Sequence, residues 1–153
     1  MKSKKELKEL LKAWDDSEYE DKTTALQLSL AMWQWMKDRI KKTGRPVHKA
    51  EWFLRLDRLF PDLELTVPRF ECYLCEYTIR TAAPQAWRSV CDSCPVDWKE
   101  ERKDHVSRCR NGEFGAWCDE MDADQKDLEH LLKAIKSIIV CIKKALKASE
   151  GNK

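Results

Sequence analysis

Two Cys-x-x-Cys pairs, Cys72/Cys75 and Cys91/Cys94, stand fifteen residues apart, and no other residues of the chain carry so definite a chemistry. Each such turn aims two sulfurs at one point, and the resulting C-x2-C-x15-C-x2-C spacing is that of a zinc site. Four thiolates close a tetrahedron and leave no position for water, so a site of this kind is structural, not catalytic. A second ligand set competes with it: Cys91, Cys94, His105 and Cys109 read as C-x2-C-x10-H-x3-C, which would leave Cys72 and Cys75 without a role. Cys118 reads as a small buried thiol beside Trp117, and Cys141 as part of the apolar stripe of the last helix. His48 and His130 stand among charges on helix surfaces and read as solvated.

The remaining chemistry is thinner. The segment "KDHVSRCRNG" holds an Asp-His dipeptide, Asp104-His105, similar to that of nucleases with a ββα-metal active site, in which a His activates water beside a divalent ion. Here both Cys pairs precede the dipeptide and no further His follows at a useful distance, so a metal-dependent nuclease is the remote alternative. There is no Gly-rich phosphate loop, Ser-His-Asp arrangement or metalloprotease helix motif.

Charge and composition bound the function classes. The chain has 153 residues with 29 Lys and Arg against 27 Asp and Glu, so its net charge of +2 neither requires nor excludes a polyanionic partner. Local runs carry the case instead. Residues 37–49 hold six basic side chains (Lys37, Arg39, Lys41, Lys42, Arg45 and Lys49) against one acid, and residues 133–148 hold five lysines and no acid. Either run could face phosphates. Acidic runs open the same helices that these basic runs close, however, which is the arrangement a helix macrodipole favours. The N-terminal "MKSKKELKELLKAW" is amphipathic and charged, so it is not a secretory signal, and no segment reaches the length of a membrane span. A cytoplasmic, reducing setting is expected, in which the odd set of seven cysteines favours metal over disulfides.

These residues must be positioned mainly by helices. Four Gly and five Pro in a chain that is 37% charged disfavour a turn-rich β fold. Ser3 and Glu6 form a capping box ahead of Leu7, Leu10, Leu11 and Trp14. A second helix is expected over about 23–42, with Leu26, Leu30, Trp33, Met36 or Lys37, and Ile40 as one stripe and Gly44 as its stop. Leu28, Met32 and Trp35 widen that stripe, so the helix should be central. Pro46 can open a third helix through "VHKAEWFLRLDRLF", ended by Pro61. Alternation in "LELTVPRFECYLCEYTIR" predicts a short hairpin around the first Cys pair. A helical turn near "EFGAWCDEM" and a long helix carrying Leu128, Leu131, Leu132, Ile135, Ile138, Ile139, Ile142 and Leu146 complete the chain, with Gly151 as the stop. The expected architecture is mainly α: one domain over 1–153, made of N-terminal helices (1–66), a zinc-binding knuckle and hairpin module (67–121) and a long C-terminal helix (122–150).

From Leu26 to Ile142 the order of features is an apolar "ALQLSLAMWQWM" helix, Cys-x-Leu-Cys at Cys72–Cys75, Cys-x-x-Cys-Pro-Val at Cys91–Val96, a further Cys109, the Trp of "EFGAW" and an "AIKSII" helix. In this it resembles a family of small, mostly uncharacterised bacteriophage proteins with a zinc-knuckle pattern. The resemblance covers about three-quarters of the chain and implies a zinc-stapled helical fold acting in the cytoplasm of a bacterial host, without an established enzymatic activity. The fifteen-residue gap, the extra N-terminal helix and Cys118 depart from the pattern.

Together these readings favour a non-enzymatic, zinc-stabilised interaction protein whose partner is a host or phage protein, with host takeover or defence evasion as its setting. A nucleic-acid-binding zinc module is the alternative. No membrane partner is expected, and the oligomeric state is left open. Tyr77, Arg80, Trp87 and Arg88 between the Cys pairs, and Trp98 after them, are the candidate contact residues, because large amphipathic rings and guanidinium groups anchor interfaces.

Overall fold

A computed structural model describes residues 2–68, 71–81, 94–96, 117, 121 and 127–151. The first helix, α1 (Lys4–Asp16), begins at the expected capping box: Ser3 Oγ accepts the Glu6 N–H at 3.2 Å, and the Glu6 carboxylate accepts the Ser3 N–H at 3.4 Å. Leu7, Leu11 and Trp14 are its buried face. The chain then reverses within a few residues. Glu18 (φ 54°) and Tyr19 (φ 67°) both take the left-handed conformation there, and the Tyr19 N–H donates to the Trp14 carbonyl at 3.0 Å.

Helix α2 (Lys22–Thr43) is capped by Asp21, whose carboxylate accepts the Thr24 N–H at 3.2 Å, and ends at Gly44 with φ 67°. The Gly44 N–H closes the last turn on the Ile40 carbonyl at 2.8 Å. Its buried residues lie on more than one side: Leu26, Trp33, Met36 and Ile40 of the expected stripe are buried, Leu30 and Trp35 are half-buried, and Ala25, Leu28 and Met32 extend the buried surface. Such a helix must be enclosed. α2 accordingly makes the principal helix contacts of the molecule, with α1, with α3 (Lys49–Leu59), with α4 (Tyr73–Thr81) and, most extensively, with α5 (Leu128–Gly151).

Helix α3 starts three residues after Pro46, because the Glu51 carboxylate caps the His48 N–H at 2.8 Å, and Val47 and Trp52 occupy the positions of a hydrophobic staple, both buried. Asp127 starts α5 by accepting the N–H groups of Glu129 and His130 at 2.9 and 3.3 Å. Leu131, Ile135, Ile138, Ile139, Ile142 and Leu146 face inward as expected, and Leu128 and Leu132 are half-buried. Trp117 and Met121 are helical and buried, and Trp117 meets Trp33 of α2 edge-on at 5.1 Å between ring centroids.

The molecule is mainly helical, and among the described residues there is no strand. The expected hairpin around the first Cys pair is therefore corrected. Residues 64–68 belong to no helix or strand, and Tyr73–Thr81 is a helix. β-branched and aromatic residues suggest strands, but Leu74 and Thr78 fall one helical turn apart and are buried with Tyr73. Thr78 and Thr81 turn their hydroxyls back to the Leu74 and Tyr77 carbonyls at 2.7 and 2.9 Å, which satisfies them inside a helix. Within the expected knuckle module, Tyr73–Thr81 is thus a helix docked on α2.

Candidate metal centre at the start of helix α4

Cys72 and Cys75 sit at the positive end of α4, Cys72 just before its first residue and Cys75 in its first turn. Glu71, in the left-handed region at φ 51°, donates its N–H to the Pro68 carbonyl at 2.9 Å and bends the chain into that start. The Cys72 sulfur then accepts the Cys75 N–H at 3.4 Å. Its acidity follows from these neighbours. The Cys75 thiol donates to it and has the largest lowering effect, burial opposes this, and the Lys49 charge and the N–H groups of Cys75 and Leu74 add to the lowering. Together they bring the thiol from an ordinary 9.0 down to about 6, so Cys72 is a thiolate at neutral pH.

Thiolate is the form that binds a metal, and two cysteines at this spacing could supply two of the four ligands of a tetrahedral zinc site. Cys94 is half-buried against the same core as Cys72, next to the fully buried Val96. Among the described residues no three His, Cys, Asp or Glu side chains are grouped to hold a metal. Cys91 lies outside the described residues, as do His105 and Cys109 of the alternative ligand set, Cys118, and the contact candidates Trp87, Arg88 and Trp98.

The other expected residues have definite places. Tyr77 is half-buried and packs on the core. Arg80 is exposed, pairs with Glu76 at 3.3 Å and lies 5.1 Å from the Tyr19 ring centroid. Cys141 is buried in α5 as expected, and His48 and His130 are exposed. In the basic run, Lys41, Lys42 and Arg45 are exposed and Lys37, Arg39 and Lys49 half-buried, with Arg45 paired to Glu51 at 3.7 Å. Lys133, Lys136, Lys143, Lys144 and Lys147 are all exposed on α5.

Sequence reasoning missed an aromatic cluster on the α2–α3 face. Trp35 and Trp52 approach to 5.8 Å, and the Arg55 guanidinium lies 5.4 and 5.3 Å from their ring centroids. Burial lowers the Arg55 pKa from its usual value. The signal was available: Trp52 and Arg55 are three apart on one helix, a spacing that puts them on one face.

Among the described residues, no helix is long and apolar enough to cross a membrane. No protein-family model matches the chain, and comparison with curated proteins and with solved structures gives no match.

Proposed function

We propose that the protein is a non-enzymatic interaction protein whose helical domain carries one structural zinc ion on Cys72, Cys75, Cys91 and Cys94. The observation that carries this reading is the Cys72/Cys75 pair at the start of α4, hydrogen-bonded to each other and biased toward thiolate beside Lys49. A zinc ion there would neutralise charge that the chain itself concentrates at one point. Following the resemblance of the motif, the partner is a host or phage protein and the setting a bacterial cytoplasm.

Metal analysis of protein purified without chelator tests the site: one zinc per chain is expected, lost in Cys72→Ser and Cys75→Ser. Cobalt substitution should add sulfur-to-metal charge-transfer absorption. Metal-free protein with no such band after cobalt loading would remove the zinc reading. Pull-down from bacterial lysate tests the partner class.

The exposed end of the basic run supports a second reading, nucleic-acid binding through Lys41, Lys42 and Arg45. Its signature is affinity that falls steeply with salt and is lost on charge reversal of Lys41 and Lys42. Binding that ignores both would dismiss it.

A further inference from the structure

Between α1, the α1–α2 turn, α3 and the segment 64–67 lies a half-open cleft of about 30 Å³. Its floor is aromatic. Trp14, Phe53 and Tyr73 are all buried there, with Trp14 meeting Tyr73 at 5.9 Å and Phe53 meeting Tyr73 at 5.8 Å. Tyr19 forms a wall, its ring 5.5 Å from that of Trp14. The two left-handed residues, Glu18 and Tyr19, are what turn the chain back at this point. Around the opening stand three exposed carboxylates, Asp15, Asp57 and Glu64, and no Lys, Arg or His is among the described residues that line the cleft.

We infer that this cleft is a docking pocket for a lysine side chain presented by a protein partner. The inference deepens the interaction reading above and rests on it. Size restricts the occupant, because a cleft of 30 Å³ is far below the roughly 300–1,000 Å³ of small-molecule sites and admits a single compact head group. Charge selects its sign. The three carboxylates of the lining, of which Asp15 already accepts the Tyr19 hydroxyl at 3.2 Å, attract a cation and repel nucleic-acid phosphates, and aromatic rings attract a cation as well. Arg80 illustrates the second effect at 5.1 Å from Tyr19, but it is paired with Glu76 and is not part of the lining. A lysine brings a compact ammonium on a long apolar stem, and Val67, 52% exposed beside the opening, offers that stem a surface.

The test uses the full isotope-labelled chain and n-butylammonium, the lysine side chain without its backbone, followed by amide and indole NMR shifts. Saturable shifts are expected at Trp14, Tyr19 and Val67, absent with n-butanol. They should weaken about tenfold in the Asp57→Asn, Glu64→Gln double variant, whose changes are on exposed side chains. No saturable shift, equal shifts with n-butanol, or unchanged affinity in the double variant would each overturn the pocket. Partner capture separates the two readings. A protein partner bound equally well by wild type and the double variant removes the lysine pocket while leaving the interaction reading in place, whereas loss of its binding in the variant supports both.

Discussion

Cys72 and Tyr73 are neighbours in the chain with opposite electrostatic situations. Hydrogen bonds and Lys49 favour the charged form of Cys72, whereas burial raises the Tyr73 phenol above its usual value and keeps it neutral. A thiol whose folded-state pKa is depressed contributes stability that is fully present above the ordinary thiol value and lost as pH falls through about 6. In metal-free protein, alkylation of Cys72 should therefore rise with a midpoint near pH 6, while buried Cys141 stays protected; peptide mass spectrometry with iodoacetamide resolves the two. A midpoint at the value of a free thiol would show that these contacts do not persist in solution. Tyr73 is held differently, by accepting the Trp52 indole N–H at 3.0 Å in the interior. Tyr73→Phe leaves that donor buried without its acceptor, at a cost of about 1–3 kcal/mol. Urea unfolding should show the loss as a lower midpoint with unchanged slope. Neither partnership was legible beforehand: the cysteine spacing announced a pair of sulfurs, but not that Lys49, from another helix, would lie close enough to act on one of them.

Elements were legible wherever a cap and a period agreed. Ser3 with Glu6 and Gly44 after a long apolar stripe each combine a terminus signal with a face to bury, and α1 begins and α2 ends there. α4 was misread because its composition and its period disagree. Threonine and tyrosine are common in strands, but burying Tyr73, Leu74 and Thr78 against α2 requires a helix, and the tertiary contact prevailed over propensity. Gly44 tests the logic of the termini. A Cβ there meets nothing within 4 Å, so the only penalty of Gly44→Ala is the left-handed backbone itself. The substitution should cost about 1 kcal/mol, seen as a Tm lower by a few degrees, with the helix content of α2 retained. A neutral or stabilising result would mean that α2 can end without the left-handed turn.

For the molecule as a whole, the question is how much of the fold the proposed metal at Cys72 and Cys75 would hold. In zinc-finger peptides the metal contributes about 10–16 kcal/mol and is effectively the whole folding energy, because no other core exists. Here the core draws on all five helices, and Leu26, Ile40, Trp52, Leu131, Ile135 and Ile138, which lie on α2, α3 and α5 and not on the helix of the cysteine pair, are each at most 1% exposed. At 153 residues a chain can bury roughly two-thirds of its unfolded surface without a staple. Chelation should accordingly leave most of the far-UV circular dichroism intact and lower Tm, because a ligand that binds only the folded state stabilises it by mass action. Ile138→Ala, which empties a site between α5 and the rest of the core, should cost about 2–5 kcal/mol whether or not metal is present. If zinc removal instead abolished the helical signal, or if Ile138→Ala mattered only in the metal-free chain, the staple and the core would be one cooperative unit, and the zinc would be the condition for the fold and not an addition to it.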